Sequence, residues 1–229
     1  MNPARMDMAN DIRRFWWTMP TLAIAGILFL AFQYVIPERD NGNKGLANEF
    51  TQQYRVSGDV HIDAESFAGN ITVEAGASDK VSIRVRKRVT GKTTAEMDAA
   101  LQAIDVRFGR QENTVRVDVD QDGPAGMSRA DITITAPARA QLELDAHRGS
   151  ITVSGMLGDV QAKTGNGNIL VQLPSNSSFT LNGDGNLKSD FRLVEDASGQ
   201  YTAGTPSPSQ PPQELLLHAN EGDVVLRRQ

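Results

Sequence analysis

The sequence contains no cysteine and only three histidines, His61, His147 and His218. The lack of cysteine excludes disulfides, thiol catalysis, iron–sulfur clusters and cysteine-ligated zinc. Three scattered histidines leave little for histidine-based acid–base or metal chemistry. The net charge of −5 does not favour counterion release from a nucleic acid, so we expect no nucleic-acid partner. With no nucleophile, phosphate or metal motif in a fitting context, we predict a protein that is not an enzyme and needs no cofactor.

Charge is also absent from the 22 residues of Phe15–Ile36. A helix of this length spans roughly 33 Å, which matches a bilayer core of about 30 Å. The run predicts a transmembrane helix in contact with membrane lipid. Its anchoring residues are Phe15, Trp16, Trp17, Leu22, Ile24, Ile27, Leu28, Phe29, Leu30, Phe32, Tyr34 and Ile36. A cleaved signal peptide is the competing interpretation, but its apolar region is about 7–15 residues long and ends in small residues.

Arginines before this run favour an N-terminus in the cytoplasm. Residues 1–14 then form a cytoplasmic tail too short to fold, residues 37–49 form a polar linker, and residues 50–229 form the external domain. Near its end, residues 202–213 form a Pro-rich segment, which we predict to be an exposed loop.

The external domain alternates apolar and polar residues with period 2, as in Val81–Val85, which predicts half-buried strands. One segment, 93–104, instead places Met97, Leu101 and Ile104 at helical spacing. It follows Thr93 or Thr94 and has Glu96 nearby, which predicts a short capped helix.

A short repeat, Gly–(Asp/Asn/Ser)–aliphatic, recurs through the external domain. It begins at Gly58, Gly69, Gly149, Gly158, Gly167, Gly185 and Gly222. The spacing is 11 residues from Gly58 to Gly69, and it is 9, 9 and 18 residues between successive copies from Gly149 to Gly185. Each copy predicts a tight turn, capped by its own Asx side chain, that leads into a short strand. Stacking of such units is how a β-solenoid buries one continuous core.

At these residues the chain resembles a bacterial family of β-strand-repeat proteins, the putative-adhesin family, which is a domain of unknown function. The likeness lies in the strand Ile132–Pro137, the strand at Leu142, and the glycine-led units from Gly149 to Gly222, and it covers about residues 56–228. It implies an envelope-facing, all-β domain of right-handed β-helix or solenoid type. The predicted helix near 93–104 and the Pro-rich loop depart from the family pattern, so we predict a domain with one short helix and a sandwich-like start. The membrane run and its orientation predict a location in the bacterial inner membrane, with the domain in the periplasm or outside the cell.

The basic residues of the external domain concentrate in one cluster, Arg84, Arg86, Lys87, Arg88 and Lys92, which we select as candidate partner contacts. Cross-strand ion pairing with Asp118 and Asp120 is the alternative explanation. The stretch Asn182–Asn186 resembles a calcium-binding β-roll loop, but it lacks the double glycine and does not recur. The chain has many carboxylates, so a glycosidase-like pair also stays open. Nothing in the sequence singles out two of them.

Two functions follow from these patterns. The first is a non-enzymatic, single-pass envelope protein whose β domain binds or scaffolds, in the manner of an adhesin. The second is an accessory subunit that docks on a larger integral-membrane complex. A polysaccharide-active β-helix enzyme is a third and weaker interpretation. The expected partners are other membrane or envelope proteins, or a glycan.

Overall fold

The computed structural model describes residues 34–40, 43–121, 128–205 and 211–229. These residues form sixteen strands and one helix, so the all-β prediction with one short helix is confirmed. In chain order the elements are β1 Tyr34–Asp40, β2 Asn43–Arg55, β3 His61–Ala68, β4 Ile71–Gly76, β5 Lys80–Thr90, α1 Thr94–Gln102, β6 Ile104–Gln111, β7 Thr114–Gln121 and β8 Ser128–Pro137. They continue as β9 Gln141–Arg148, β10 Ile151–Ser154, β11 Val160–Asn166, β12 Ile169–Leu173, β13 Phe179–Ser189, β14 Val194–Glu195, β15 Tyr201–Ala203 and β16 Gln213–Arg228.

The centre of the domain is a stack of two-stranded coils. Strands β3, β9 and β11 lie side by side in parallel on one face, called face A here. Their continuations β4, β10 and β12 lie in parallel on the opposite face, face B. The chain passes from face A to face B at Gly69, Gly149 and Gly167. One full coil therefore takes the 18 residues from Gly149 to Gly167, so the nine-residue spacing corresponds to half a coil and not to a whole one.

The spatial order of the coils differs from their order in the sequence. The coil made by β7 and β8 stacks on the outer side of β3 and β4, although it follows them in the chain. At the other end, β16 runs through both faces and lies between the β11–β12 coil and β13.

The start of the domain is antiparallel. Strands β2, β5 and β8 pair antiparallel on face B, and β6 pairs antiparallel with β7 on face A. Helix α1 packs against β2, β5 and β6 at this end, and it buries Met97. Its start confirms the predicted cap, because the Glu96 N–H donates to Thr93 Oγ1 at 3.2 Å and the Thr93 N–H donates to Glu96 Oε2 at 3.2 Å.

The core lies between the two faces and is filled by the inward residues of each strand. As the alternation predicts, Ile151, Val153, Val160, Ile169 and Val171 are all at most 1% exposed and belong to one cluster. Because each coil adds two or three such residues per face, stacking buries a continuous apolar column.

Glycine is required at the corner of each central coil because the coils approach one another too closely there for a side chain. A Cβ on Gly149 would lie 1.9 Å from the carbonyl oxygen of Gly69, and one on Gly222 would lie 1.9 Å from that of Gly167. Both glycines also have positive φ, at +149° and +155°.

Polar side chains along this corner join neighbouring coils. Those of Asn70, Ser150 and Asn168, which follow corner glycines, and that of Asp131, which follows Ala130, each accept a backbone N–H of a neighbouring coil. The sequence pattern predicted a cap on each residue's own turn. The bonds are Asn70 N–H to Asp131 Oδ1 at 2.9 Å, Ser150 N–H to Asn70 Oδ1 at 3.0 Å, Asn168 N–H to Ser150 Oγ at 3.2 Å and Asp223 N–H to Asn168 Oδ1 at 2.8 Å. Asx and Ser side chains favour such backbone contacts, and here they form a ladder along the corner.

The predicted boundaries near the N-terminus differ from the structure. Tyr34–Ile36, predicted as the end of the membrane helix, belong to β1, and most of the predicted linker 37–49 lies in β1 and β2. These residues pair with each other and with β5, which satisfies their backbone groups in a sheet. The rest of the predicted helix, residues 15–33, lies outside the described residues. Within the described ranges, no helix has the length and apolar character to cross a membrane.

The Pro-rich segment 202–213 is described only in part, as residues 202–205 and 211–213. Its first two residues belong to β15 and its last residue, Gln213, opens β16. The predicted loop is therefore shorter than the composition suggested, and its central residues lie outside the described part.

Candidate binding surfaces

The predicted basic cluster lies on β5, which is part of face B. Arg84, Arg86 and Arg88 alternate with the buried residues Val85 and Val89, so they stand on the outer side of the sheet. Arg129 of β8 lies opposite Arg88 in the register between the two strands. Together Arg84, Arg86, Arg88 and Arg129 form what we call the β5 basic surface.

Carboxylates next to these arginines hold their side chains in place. Arg84 Nε lies 3.4 Å from Glu49 Oε1, and Arg88 and Arg129 both pair with Asp131. The side chains of Arg84 and Arg129 nevertheless remain 60% and 49% exposed. The side chains of Arg84 and Arg129 are therefore accessible to a partner, and exposed ion pairs of this kind contribute little to stability.

Lys87 does not belong to this surface, which corrects the prediction that it contacts a partner. It shares the inward positions of β5 with Val85 and Val89 and is only 9% exposed. Its Nζ donates to the Ile104 carbonyl oxygen at 2.5 Å and lies 4.9 Å from the centre of the Phe50 ring. Burial lowers the pKa of the Lys87 amine, and Asp105 opposes that shift. Lys87 therefore closes the end of the core beside α1.

Lys92 lies between β5 and α1, apart from the row of arginines. It is exposed, and its backbone N–H donates to Glu96 Oε2 at 3.0 Å. The expected pairing with Asp118 and Asp120 is also wrong, because both aspartates lie on β7 in face A. There Arg107 of β6 contacts Asp118 at 2.8 Å and Asp120 at 3.9 Å.

Face A carries the opposite charge, on what we call the β3 acidic surface. It consists of outward carboxylates of β3, β7 and β9: Asp63, Glu65, Asp118, Glu143 and Asp145. The strand register places these side chains side by side, with Glu65 between Asp118 and Asp145. Among the described residues, no three His, Asp or Glu side chains are placed to hold a metal ion.

The crowding of carboxylates changes how this surface titrates. Burial raises the pKa of Glu65, and the neighbouring Asp118 and Asp145 raise it further. Burial also raises the pKa of Asp63, although Arg116, 3.4 Å away, works against that shift. Neighbouring carboxylates thus add to the effect of burial on the pKa of Glu65, and Arg116 opposes it at both Asp63 and Glu65.

Three solved bacterial proteins with adhesion-related names resemble this chain. A putative cell adhesion protein from Clostridium sporogenes is 8% identical, covers 79% of this chain and 100% of its own, and superimposes with a TM-score of 0.54. The likeness shows the fold. Putative adhesins from Bacteroides fragilis and Parabacteroides distasonis, 13% and 10% identical, cover 79% and 78% of this chain and 97% and 96% of their own, with TM-scores of 0.32 and 0.22. No family model matches the chain, and neither does any curated protein.

The sequence pattern selected Arg84, Arg86 and Arg88 of the β5 basic surface but missed Arg129 and the acidic surface. The carboxylates are spread over three strands, from residue 63 to residue 145, and only the strand register brings them together. For Lys87 a signal was present, because its position matches that of Val81, Ile83, Val85 and Val89 in the alternation.

Proposed function

We propose that this chain is a non-enzymatic envelope protein whose β domain binds or scaffolds a partner in the manner of an adhesin. The partner carries acidic groups and contacts the β5 basic surface. The observation that carries this proposal is the charge difference between the two faces, with arginines on the outside of face B and clustered carboxylates on the outside of face A.

This difference gives the domain a preferred side. An acidic partner is attracted to face B and repelled by face A, so charge alone orients the encounter. Next to the arginines, face B continues as a row of small polar side chains: Thr133, Thr72 and Thr152 lie in register on β8, β4 and β10. These side chains are short, so an extended partner can lie across this part of the sheet without meeting long side chains.

We also propose that the domain is anchored in a bacterial inner membrane and faces outward. Since β1 begins at Tyr34, the anchor would be the uncharged residues 15–33, and 19 residues lie within the range of about 17–25 that spans a bilayer. A reporter that is active only after export should be active when fused after Gln229. Activity of a cytoplasmic reporter at the same position would contradict the proposed orientation.

The proposed contact is tested by size measurements on the protein extracted from its native membranes in mild detergent. The variant R84Q/R86Q/R88Q removes three charges from face B and leaves folding nearly intact, because these side chains are exposed or only partly buried. Lys163→Gln on face A is the matched control, since it removes one outward charge from the other sheet. We expect a larger assembly for the wild type and the control, and its loss in the triple variant. A wild-type monomer, or an assembly that the triple variant retains, would refute the proposal.

The same preparation separates the alternative functions. An accessory subunit of an integral-membrane complex would give one assembly of fixed composition, whereas an adhesin-like module would bind its partner reversibly. Release of new reducing ends from an added polysaccharide would identify an enzyme instead.

A further inference from the structure

A cleft of about 330 Å³ lies at the C-terminal end of the coil stack, away from both charged surfaces. Its walls are the turn 175–177 after β12, the segment 191–192 after β13, the segment 203–205 at the end of β15, and Arg228 at the end of β16. The volume lies at the lower end of the range for pockets that bind small molecules, about 300–1,000 Å³.

The backbone holds two of these walls against each other. The Ser177 N–H donates to the Pro174 carbonyl oxygen at 3.0 Å and closes the turn. Gly204 packs directly on that turn with φ of +75°, and a Cβ at this position would lie 2.4 Å from the Ser177 carbonyl oxygen. The cleft therefore depends on a glycine, and its polar wall is fixed before any ligand arrives.

Arg228 is also held in place. Its guanidinium carbon lies 5.0 Å from the centre of the Phe191 ring, and Phe191 is buried against Phe179 in an edge-on contact at 5.2 Å. The Arg228 backbone N–H donates to Asp190 Oδ2 at 3.4 Å. A cation already stacked on a fixed ring loses less conformational freedom when it binds an anion.

The chemistry of the lining is unusual for this acidic chain. Two arginines, Arg192 and Arg228, line the cleft, and no Asp or Glu stands among the described residues that line it. The other polar side chains are Ser175, Asn176, Ser177 and Thr205, which are neutral hydrogen-bonding groups. Guanidinium groups match a carboxylate with two parallel hydrogen bonds, and hydroxyl and amide groups match sugar hydroxyls.

We propose that this cleft binds a sugar that carries a carboxylate, such as one hexuronate unit of an acidic polysaccharide. Arg228, with Arg192, binds the carboxylate, and the turn 175–177 binds the ring hydroxyls. This goes beyond the function proposed above, because β8, β4 and β10 separate β5 from β12, whose following turn lines the cleft. Loss of partner binding at the β5 basic surface therefore leaves sugar binding in the cleft intact, and loss of sugar binding leaves the β5 basic surface intact.

Isothermal titration of the full chain in detergent with glucuronate tests the proposal. Glucose and inorganic phosphate serve as probes that lack the carboxylate or the sugar. We expect glucuronate to bind the wild type more tightly than either probe. Arg228→Gln should weaken glucuronate binding by about tenfold or more, since it removes a charged hydrogen-bonding partner.

Arg227→Gln is the matched control, because Arg227 follows the buried Leu226 on the outer side of β16 and does not line the cleft. It should bind glucuronate as the wild type does. If Arg228→Gln fails to fold, Arg192→Gln replaces it, since Arg192 is exposed. Equal affinity in the cleft and control variants would overturn the proposal. So would glucose or phosphate binding as tightly as glucuronate, or the absence of glucuronate binding.

Discussion

The central coils and the two ends of the stack share the same inward–outward alternation, but different contacts hold them together. Between the central coils, corner glycines allow close approach and the Asx and Ser side chains bridge from coil to coil. At the ends, positions in line with the core instead hold Lys87 and Arg228, whose cations lie over Phe50 and Phe191. A long side chain with a polar tip can cover the apolar core with its stem while its cation contacts an aromatic ring. Cations stacked on aromatic rings thus replace the repeated aliphatic residues at both ends of the stack.

The largest expected effect is at a corner of the central coils. Gly149→Ala should destabilise the fold by more than about 4 kcal/mol, because its Cβ would overlap the Gly69 carbonyl oxygen at 1.9 Å. Gly199→Ala is the control: its φ is +84°, but nothing lies within 4 Å of the added Cβ. It should cost only about 1–2 kcal/mol from backbone conformation. Urea denaturation of both variants measures the difference, and similar losses would show that close coil contact is unimportant.

A second comparison tests the inner and outer sides of the central coils. Ile169→Asp places a carboxylate in a site that is 0% exposed, so we expect a loss of several kcal/mol and an unfolded domain. His61→Ala removes an outward side chain near Glu143 and should change stability by no more than about 0.5 kcal/mol. Thermal unfolding followed by circular dichroism separates the two. Comparable damage from both would contradict the assignment of the faces.

A smaller effect is expected at the α1 end. Lys87→Ala removes the hydrogen bond to the Ile104 carbonyl oxygen and the contact with Phe50, and should cost about 1–3 kcal/mol. Arg84→Ala, on the same strand but facing outward, should stay within about 0.5 kcal/mol of the wild type. If Arg84→Ala proves the more damaging of the two in urea denaturation, Lys87 is not the residue that closes this end.

The smallest effect is electrostatic and lies on face A. The pKa values of Asp63 and Glu65 are raised above 3.8 and 4.5, so the folded state binds protons more tightly than the unfolded state. Stability should therefore fall as the pH rises from about 4 through the raised values, and the loss is complete above them. The variant D63N/E65Q should flatten this slope in urea denaturation between pH 4 and pH 8. An unchanged slope would show that groups other than Asp63 and Glu65 cause the pH dependence of stability.

Local patterns predicted the strands, the capped helix and the inward residues, because alternation and capping depend on residues close in sequence. They could not predict that β16 lies between β11–β12 and β13, since nothing in residues 213–228 marks which neighbours they pair with. The pattern also placed Lys87 with the arginines by charge, although its position in the alternation indicated the core. The cleft brings together residues 175–228 from four segments, and no local motif joins them.

The position of β16 has a consequence for the order in which the protein folds. Strand β13 pairs with β16 and with the three residues of β15, so it has no coil to stack on until residues 213–228 are available. A chain made from its N-terminus can complete the β3, β9 and β11 coils before β16 is made, whereas the coil of β13 waits for β16. Arg228, which completes the cleft, lies in this same strand. The cleft therefore comes into existence only after β16 has joined the stack, and a chain made only as far as β15 cannot present it to a ligand.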